Sequence, residues 1–271
     1  MRKFGIIEPI WKSFYSKVLY ADVAYAWKGT GASFMLIIAV LACLPPAAAT
    51  HFSLREFAAD QGQKIIAQIP DIAISEGKLS TPDPRPYTVQ DPASGSLLAV
   101  IDMTRENLPE EMAKGPKPFV FVLKNAVVVK KSAYETRTFD LSQVAKFSID
   151  QQRLRGWLAL FARWGASVLG LFMLVFVYVV RLIQVLLFSV LTNFLRKMWK
   201  VPIDYQAVLR LTAVAMGPAL VLSIFGDALG RPVSFAWFCL LTVVFIWFGV
   251  QAVRESAPPA AGVEGEGINP S

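Results

Sequence analysis

Four apolar runs constrain this chain more than any other feature. A helix needs about 20 mostly apolar residues to cross the hydrocarbon core of a bilayer. Runs of that length occur at Gly31–Thr50, from Trp157 to Val180, at Ala207–Phe225 and at Val233–Val253, and the last three carry almost no charge at their centres. A chain that is 55% hydrophobic and only 17% charged suits this reading, since ordinary soluble domains are about 25% charged. The expected fold class is an α-helical polytopic membrane protein with four transmembrane helices and an α+β extracytoplasmic domain between helices 1 and 2.

The first run, GASFMLIIAVLACLPPAAATHF, ends on Ala47-Ala48-Ala49, which resembles a signal-peptide cleavage site. The residues that precede it are too many for an ordinary n-region and carry a pattern of their own, so the run is read as an anchor kept in the membrane, residues 30–50. The leader, residues 1–29, is amphipathic. Between Ile10 and Leu19, Lys12, Ser13, Ser16 and Lys17 fill one helical arc while Ile10, Trp11, Phe14, Tyr15 and Val18 fill the other. Two readings stay open: a helix lying in the headgroup plane, lysines toward anionic lipid, or a helix packed on a partner or on the protein's own bundle. On the first reading Trp11, Lys12, Phe14, Tyr15, Lys17, Trp27 and Lys28 sit at the interface.

Positive charge orients the bundle. Arg2, Lys3, Lys12, Lys17 and Lys28 precede the first run, and Arg181, Arg196, Lys197, Lys200 and Arg210 follow the second. The turn between the last two runs holds only Arg231, offset by Asp227. The positive-inside bias therefore predicts cytoplasmic termini, with residues 51–155 on the opposite, extracytoplasmic side. The predicted spans are 30–50, 157–180, 207–225 and 233–253. Residues 181–206 are read as an interfacial helix or loop on the cytoplasmic side, a continuation of the second helix bending along the interface, where Arg196, Lys197, Trp199 and Lys200 reach the headgroups. The alternative is a re-entrant helix that keeps Arg181 inside the bundle, where an arginine marks a functional site by default. Residues 254–271 are read as a disordered cytoplasmic tail.

Between residues 51 and 155, 14 basic and 13 acidic residues nearly cancel, as in a folded domain. HFSLREFAADQGQKIIAQIP is predicted to be a helix broken near Gly62 and ended at Pro70. DIAIS, PYTV, SLLAVIDM, PFVFVL, AVVVKK and TRTFDL are β-rich and bounded by turn residues, which predicts a small antiparallel sheet. Lys124-Asn125 between two apolar runs predicts a tight hairpin over 119–131.

No pattern with a known chemistry stands out. HExxH, CxxC, GxSxG and Walker sequences do not occur, and Cys43 and Cys239 both lie in apolar runs. His51, the single histidine, follows the first span, where an interfacial or capping role outweighs catalysis. Asp102-Met103-Thr104 lacks the second carboxylate an aspartic-protease dyad needs, so Asp102 is read as ending a strand in an Asx turn. Gly217-Pro218 could break the third span, as transporters do at binding sites, or simply kink it. The net charge of +7 gathers beside the apolar runs rather than in a nucleic-acid patch, and no cofactor is implied.

SFYSKVLYADVAYAWKGTG, VIDMT and LKNAVVVKK together resemble an uncharacterised family of bacterial multi-pass membrane proteins of about this length, known as a domain of unknown function. Ser13-Phe14-Tyr15-Ser16, Leu19-Tyr20, Asp22-Val23, Trp27-Lys28-Gly29 and Ile101-Asp102 with Thr104 carry the likeness. The family tends to have Thr and Gly where this chain has Met103 and Arg105. Its membrane part is distantly similar to the Yip-like proteins, which implies membrane organisation rather than catalysis. The expected function is a non-enzymatic envelope scaffold, sensor or accessory subunit. Its partners would be membrane lipid and an envelope protein bound by the external domain, with contacts on the edges of the 119–131 hairpin and on the leader. The alternative is a lipid or small-solute transporter, or its accessory subunit, with Arg181, Gly217 and Pro218 near the path. Oligomeric state is left open.

Overall fold

The computed structural model describes residues 3–105, 119–130 and 135–256. The chain divides into two compact units, Met1–Ala47 with Leu169–Ser271, and Ala48–Val168. Helices α1 (Pro9–Lys12), α2 (Lys17–Tyr25), α3 (Ala32–Ala59), α4 (Gln61–Gln68), α5 (Gln151–Met198), α6 (Tyr205–Ala228) and α7 (Phe235–Glu255) are present. Among the described residues four helices are long and apolar enough to cross a membrane, and a strand-containing region lies between the first and second of them.

The first unit is built around α6. Residues 210–220 are all buried, and Ala213, Ala215, Gly217 and Ala219 let neighbouring backbones approach closely. Local chemistry sets the helix ends. Asp204 caps α6 by accepting the Ala207 amide at 2.7 Å, and Ser234 caps α7 by accepting the Trp237 amide at 3.5 Å. At the end of α5, Lys200 takes a left-handed φ of 53° and the Val201 amide returns to the Arg196 carbonyl at 2.8 Å.

Three expected boundaries differ. The first apolar run does not stop at Thr50: α3 is one helix of 28 residues that contains Pro45 and Pro46 and ends at Ala59. The break expected near Gly62 falls at Asp60, and Gly62 lies inside α4, where an added Cβ would come within 2.6 Å of Leu158 Cδ2. Residues 157–180 and 181–198 lie in one helix, since α5 runs unbroken for 48 residues. No glycine or proline lies between Arg181 and Met198, so nothing local stops that helix before the turn at Lys200. Arg254 and Glu255, placed in the tail by the sequence, belong to α7, while residues 257–271 lie outside the described residues.

The second unit holds two sheets. One has the order β2-β1-β8, from β1 (Ile72–Ser75), β2 (Lys78–Ser80) and β8 (Lys146–Ile149). The other has the order β3-β4-β5-β6-β7, from β3 (Tyr87–Gln90), β4 (Leu97–Asp102), β5 (Phe119–Leu123), β6 (Ala126–Lys130) and β7 (Thr136–Asp140). The hairpin across Lys124-Asn125 pairs Val122 with Val127. The expected single antiparallel sheet is corrected in two ways: there are two sheets, and β4 pairs β5 in parallel. A parallel partner needs a connection much longer than a hairpin turn, and residues 103–118 supply it. Successive side chains on a strand face opposite ways. On β4, Val100 packs with Phe121, Leu123 and Val128, while Ile101 packs with Ile74, Leu79 and Leu141.

Candidate functional site

The leader is two short helices rather than one helix over 10–19. Ser16, in extended conformation, accepts the Leu19 amide and starts α2 afresh. Its inner face packs on the leader's own bundle. Tyr20 is fully buried, its ring lies where a Cβ on Gly249 would sit, 2.8 Å from Tyr20 Cδ1, and Phe248 meets it edge-on at 5.6 Å. The Tyr20 hydroxyl donates to the Ser13 carbonyl at 2.7 Å. Burial pushes its pKa up, so the phenol stays a donor at neutral pH.

Two buried charges complete this clasp. Arg210 of α6 donates from Nε to the Val23 carbonyl at 2.7 Å, from Nη2 to Ala24 at 2.7 Å and from Nη1 to Gly29 at 3.2 Å. The last carbonyls of a helix have no partners within it and carry partial negative charge. A guanidinium suits them because it presents several donors in a rigid fork. Asp22 works from the other side, accepting the Lys3 amide at 2.9 Å, the Phe4 amide at 3.3 Å and the Trp27 indole N–H at 3.1 Å.

The residues expected at the membrane interface divide between protein contacts and exposed positions. Trp27, expected at the surface, is buried. Lys12 pairs with Glu8 at 2.9 Å and lies over the Phe4 ring, Lys17 pairs with Glu255 at 2.7 Å, and Phe14 packs edge-on against Phe245. Trp11, Tyr15 and Lys28 are exposed. On α5 and just beyond it, Arg196 donates to Asn193 and to the Ile203 carbonyl, Trp199 packs against Trp247, and Lys197 and Lys200 are exposed.

Arg181 is half-buried on α5, donating to Gln184 at 2.8 Å with its guanidinium 5.6 Å from the centre of the Phe238 ring. Gly217 and Pro218 are buried in α6, where a Cβ added at Gly217 would stand 3.2 Å from Ser13 Oγ and 3.3 Å from the Phe34 ring. Gly217 therefore receives the leader, and α6 remains helical through Pro218.

In the second unit, Asp102 closes β4. Its Oδ1 accepts the Thr104 amide at 2.9 Å and the Thr104 hydroxyl at 2.6 Å, and Arg105 Nε lies 3.2 Å from Oδ2. That is an Asx turn with an ion pair. The same unit has a cleft of about 720 Å³, lined by Gln68, Asp71, Arg85, Tyr87, Asp150 and Gln151 among others. Gln151 braces it by donating from its amide to Asp71 at 3.2 Å and from its side chain to the Ile69 carbonyl at 3.0 Å. Arg85 lies 5.3 Å from the centre of the Tyr87 ring and is otherwise exposed. The polar, cationic-aromatic lining can hold a flexible polar segment by hydrogen bonds and ring contacts.

Two turns are expected to make this unit lose stability in acid. The Ser94 hydroxyl and Ala93 amide hold the Asp91 carboxyl below its ordinary 3.8, and the Ser142 amide does the same for Asp140. A depressed folded pKa contributes stability above the unfolded value and loses it as pH falls through the folded one. Thermal unfolding of the strand-containing unit is expected to be flat between about pH 7 and pH 5 and to fall below about pH 4. Asp91→Asn and Asp140→Asn together should flatten that fall; an unchanged profile would remove these turns from the account.

Sequence reasoning missed the partners of Arg210 and Asp22. Arg210 was visible only as one more positive charge at the end of an apolar run, and Asp22 only as a residue within the leader motif. The acidic residue among apolar ones in LYADVAY was the available signal.

The family model described as "Protein of unknown function (DUF1189)" matches residues 8–250. The chain belongs to this family. No curated protein and no solved structure matches it.

Proposed function

We propose, from membership of that family as the premise, that the chain is a four-span protein of the bacterial inner membrane that works by binding rather than catalysis. In this reading α3, α5, α6 and α7 cross the bilayer, both termini are cytoplasmic and residues 51–155 lie outside. The external unit binds an envelope protein, and the chain serves as a scaffold, sensor or accessory subunit.

One observation carries the membrane placement. The strand-containing region is inserted between two helices whose apolar side chains are left largely uncovered by protein. Only 6% of the most apolar window of α5 and 28% of that in the helical stretch Ala32–Gln68 are buried, against 72% for α6. Phe172, Phe176, Leu187 and Val190 on α5 are each about two-thirds exposed or more. Apolar surface this extensive needs a partner that is itself apolar, and lipid fits helices of this length. The exposed Lys28, Lys197 and Lys200 support headgroup contact at one end.

Reporter fusions test the topology. Alkaline phosphatase inserted at Ser94, an exposed turn position, is expected to be active, and a fluorescent protein after Ser256 is expected to glow; the reverse pattern sinks the orientation. Affinity purification in mild detergent is expected to return a stoichiometric partner from the full chain. A chain that purifies alone would leave the topology standing and end the scaffold reading.

A further inference from the structure

The sheet edges of the second unit are not equivalent. An edge strand presents unpaired amides and carbonyls that can template another chain, and proteins usually blunt it. Three of the four edges here are blunted. On β3, the Gln68 carboxamide mimics a strand, accepting the Gln90 amide at 2.8 Å and donating to its carbonyl at 3.0 Å. On β2, the Leu79 amide donates to the Lys124 carbonyl at 2.8 Å. On β8, Arg153 takes the Ser148 carbonyl at 2.9 Å. The 119–131 hairpin, expected from sequence to offer its edges, has both covered, by β4 and by β7.

The fourth edge is different. β7, TRTFD, pairs with β6 along one side only. All five of its residues are exposed, Phe139 by 54%. Among the described residues no hydrogen bond covers its other side. It contains no proline or lysine and keeps continuous register with β6 from Thr136 to Asp140.

We propose that β7 pairs antiparallel with β7 of a second copy of this chain, about a two-fold axis through Thr138. The side chains suit that occupant and disfavour two of the other registers. Centring on Thr138 sets Arg137 opposite Phe139 of the other copy, twice, and Thr138 opposite Thr138. Thr136 then faces Asp140, also twice. Cation-aromatic and Thr–Thr cross-strand pairs are favourable, whereas like charges directly opposed are not. Centring on Arg137 or on Asp140 would oppose identical charges. Such an interface uses the same patch on both chains and closes on itself, so it forms a dimer rather than a fibre. The pairing goes beyond the partner-binding reading and holds whichever side of a membrane the sheet occupies.

Cysteine crosslinking tests the register in the full chain in native membranes, with Cys43→Ala and Cys239→Ser removing the native thiols. Across an antiparallel pair, facing Cα atoms lie about 4.5–5.5 Å apart, within disulfide reach. Copper-phenanthroline should therefore give about tenfold more covalent dimer from Thr138→Cys than from Asp140→Cys, whose two copies lie beyond that reach. Phe139→Ala, which removes only an exposed ring, should lower the Thr138→Cys yield without unfolding the sheet. Equal yields at 138 and 140, or crosslinking of Thr138→Cys to a different protein, overturn the proposal; the second result would still favour a partner-binding module. Sedimentation of the unsubstituted chain in mild detergent is the independent measurement, and a monomer at every concentration also overturns it.

Discussion

Arg210→Ala is expected to release the N-terminal leader and to lower the stability of the helical unit by about 3–5 kcal/mol, because a hydrogen bond to a charged donor contributes about 1.5–3 kcal/mol and a buried carbonyl left unpaired costs about 1–3 kcal/mol. The guanidinium donates to Val23, Ala24 and Gly29, and its side chain is only 9% exposed, so water cannot take its place without opening the packing. The neighbouring Asp204 contributes little, being 3.9 Å away and mostly exposed. Arg210→Met keeps most of the volume and should recover packing but not the hydrogen bonds. Arg210→Lys should fall between the two, since a single ammonium cannot serve three separated carbonyls. Limited trypsin digestion in detergent reads the result: cleavage at Lys12 and Lys17 should become rapid in Arg210→Ala. A leader as resistant as in the unsubstituted chain would show that the clasp does not hold it.

Gly77→Ala is the second large effect, and it falls in the other unit. Glu76 and Gly77 make the two-residue turn between β1 and β2, with φ of 52° and 75°. Two left-handed residues are what the tightest hairpin turns require. An added Cβ on Gly77 would stand 2.7 Å from the Ser142 Cα and 3.1 Å from the Leu141 carbonyl oxygen. Both are backbone atoms and cannot swing aside. A left-handed alanine costs about 1–2 kcal/mol by itself, and overpacking adds about 1–3 kcal/mol. Gly95→Ala is the internal comparison, because its φ is 66° but nothing lies within 4 Å of the new Cβ. The strand-containing unit should therefore unfold at a distinctly lower temperature in Gly77→Ala than in Gly95→Ala, with helical signal retained. Equal losses in the two would mean that the close approach of residues 141 and 142 is unimportant.

The helices and strands were legible for different reasons. Apolar length is a property of a short stretch, so the runs around Ala207–Phe225 and Val233–Val253 announce α6 and α7 without any knowledge of their neighbours. The β-branched runs around Val100, Val122 and Val128 announce strands in the same way, and Asp102-Met103-Thr104 announces the turn that closes β4. Less legible was where a long helix stops. Val180 and Arg181 look like a boundary because charge usually marks one, but helix propagation needs only backbone hydrogen bonds and helix-compatible residues.

What local pattern determined is therefore the number and character of the elements: four apolar helices, a β-rich insert between the first two, and an amphipathic leader. What only tertiary structure decided is which groups meet. Arg210 reaches carbonyls 187 and 186 positions earlier in the chain, and Tyr20 finds its seat on Gly249. β5 takes β4 as a parallel neighbour, which leaves β7 at the edge. Hydrogen-bond partners and strand neighbours are chosen by geometry across the folded chain. An arginine at the end of an apolar run looks the same in sequence whether it faces a headgroup or fastens a buried helix.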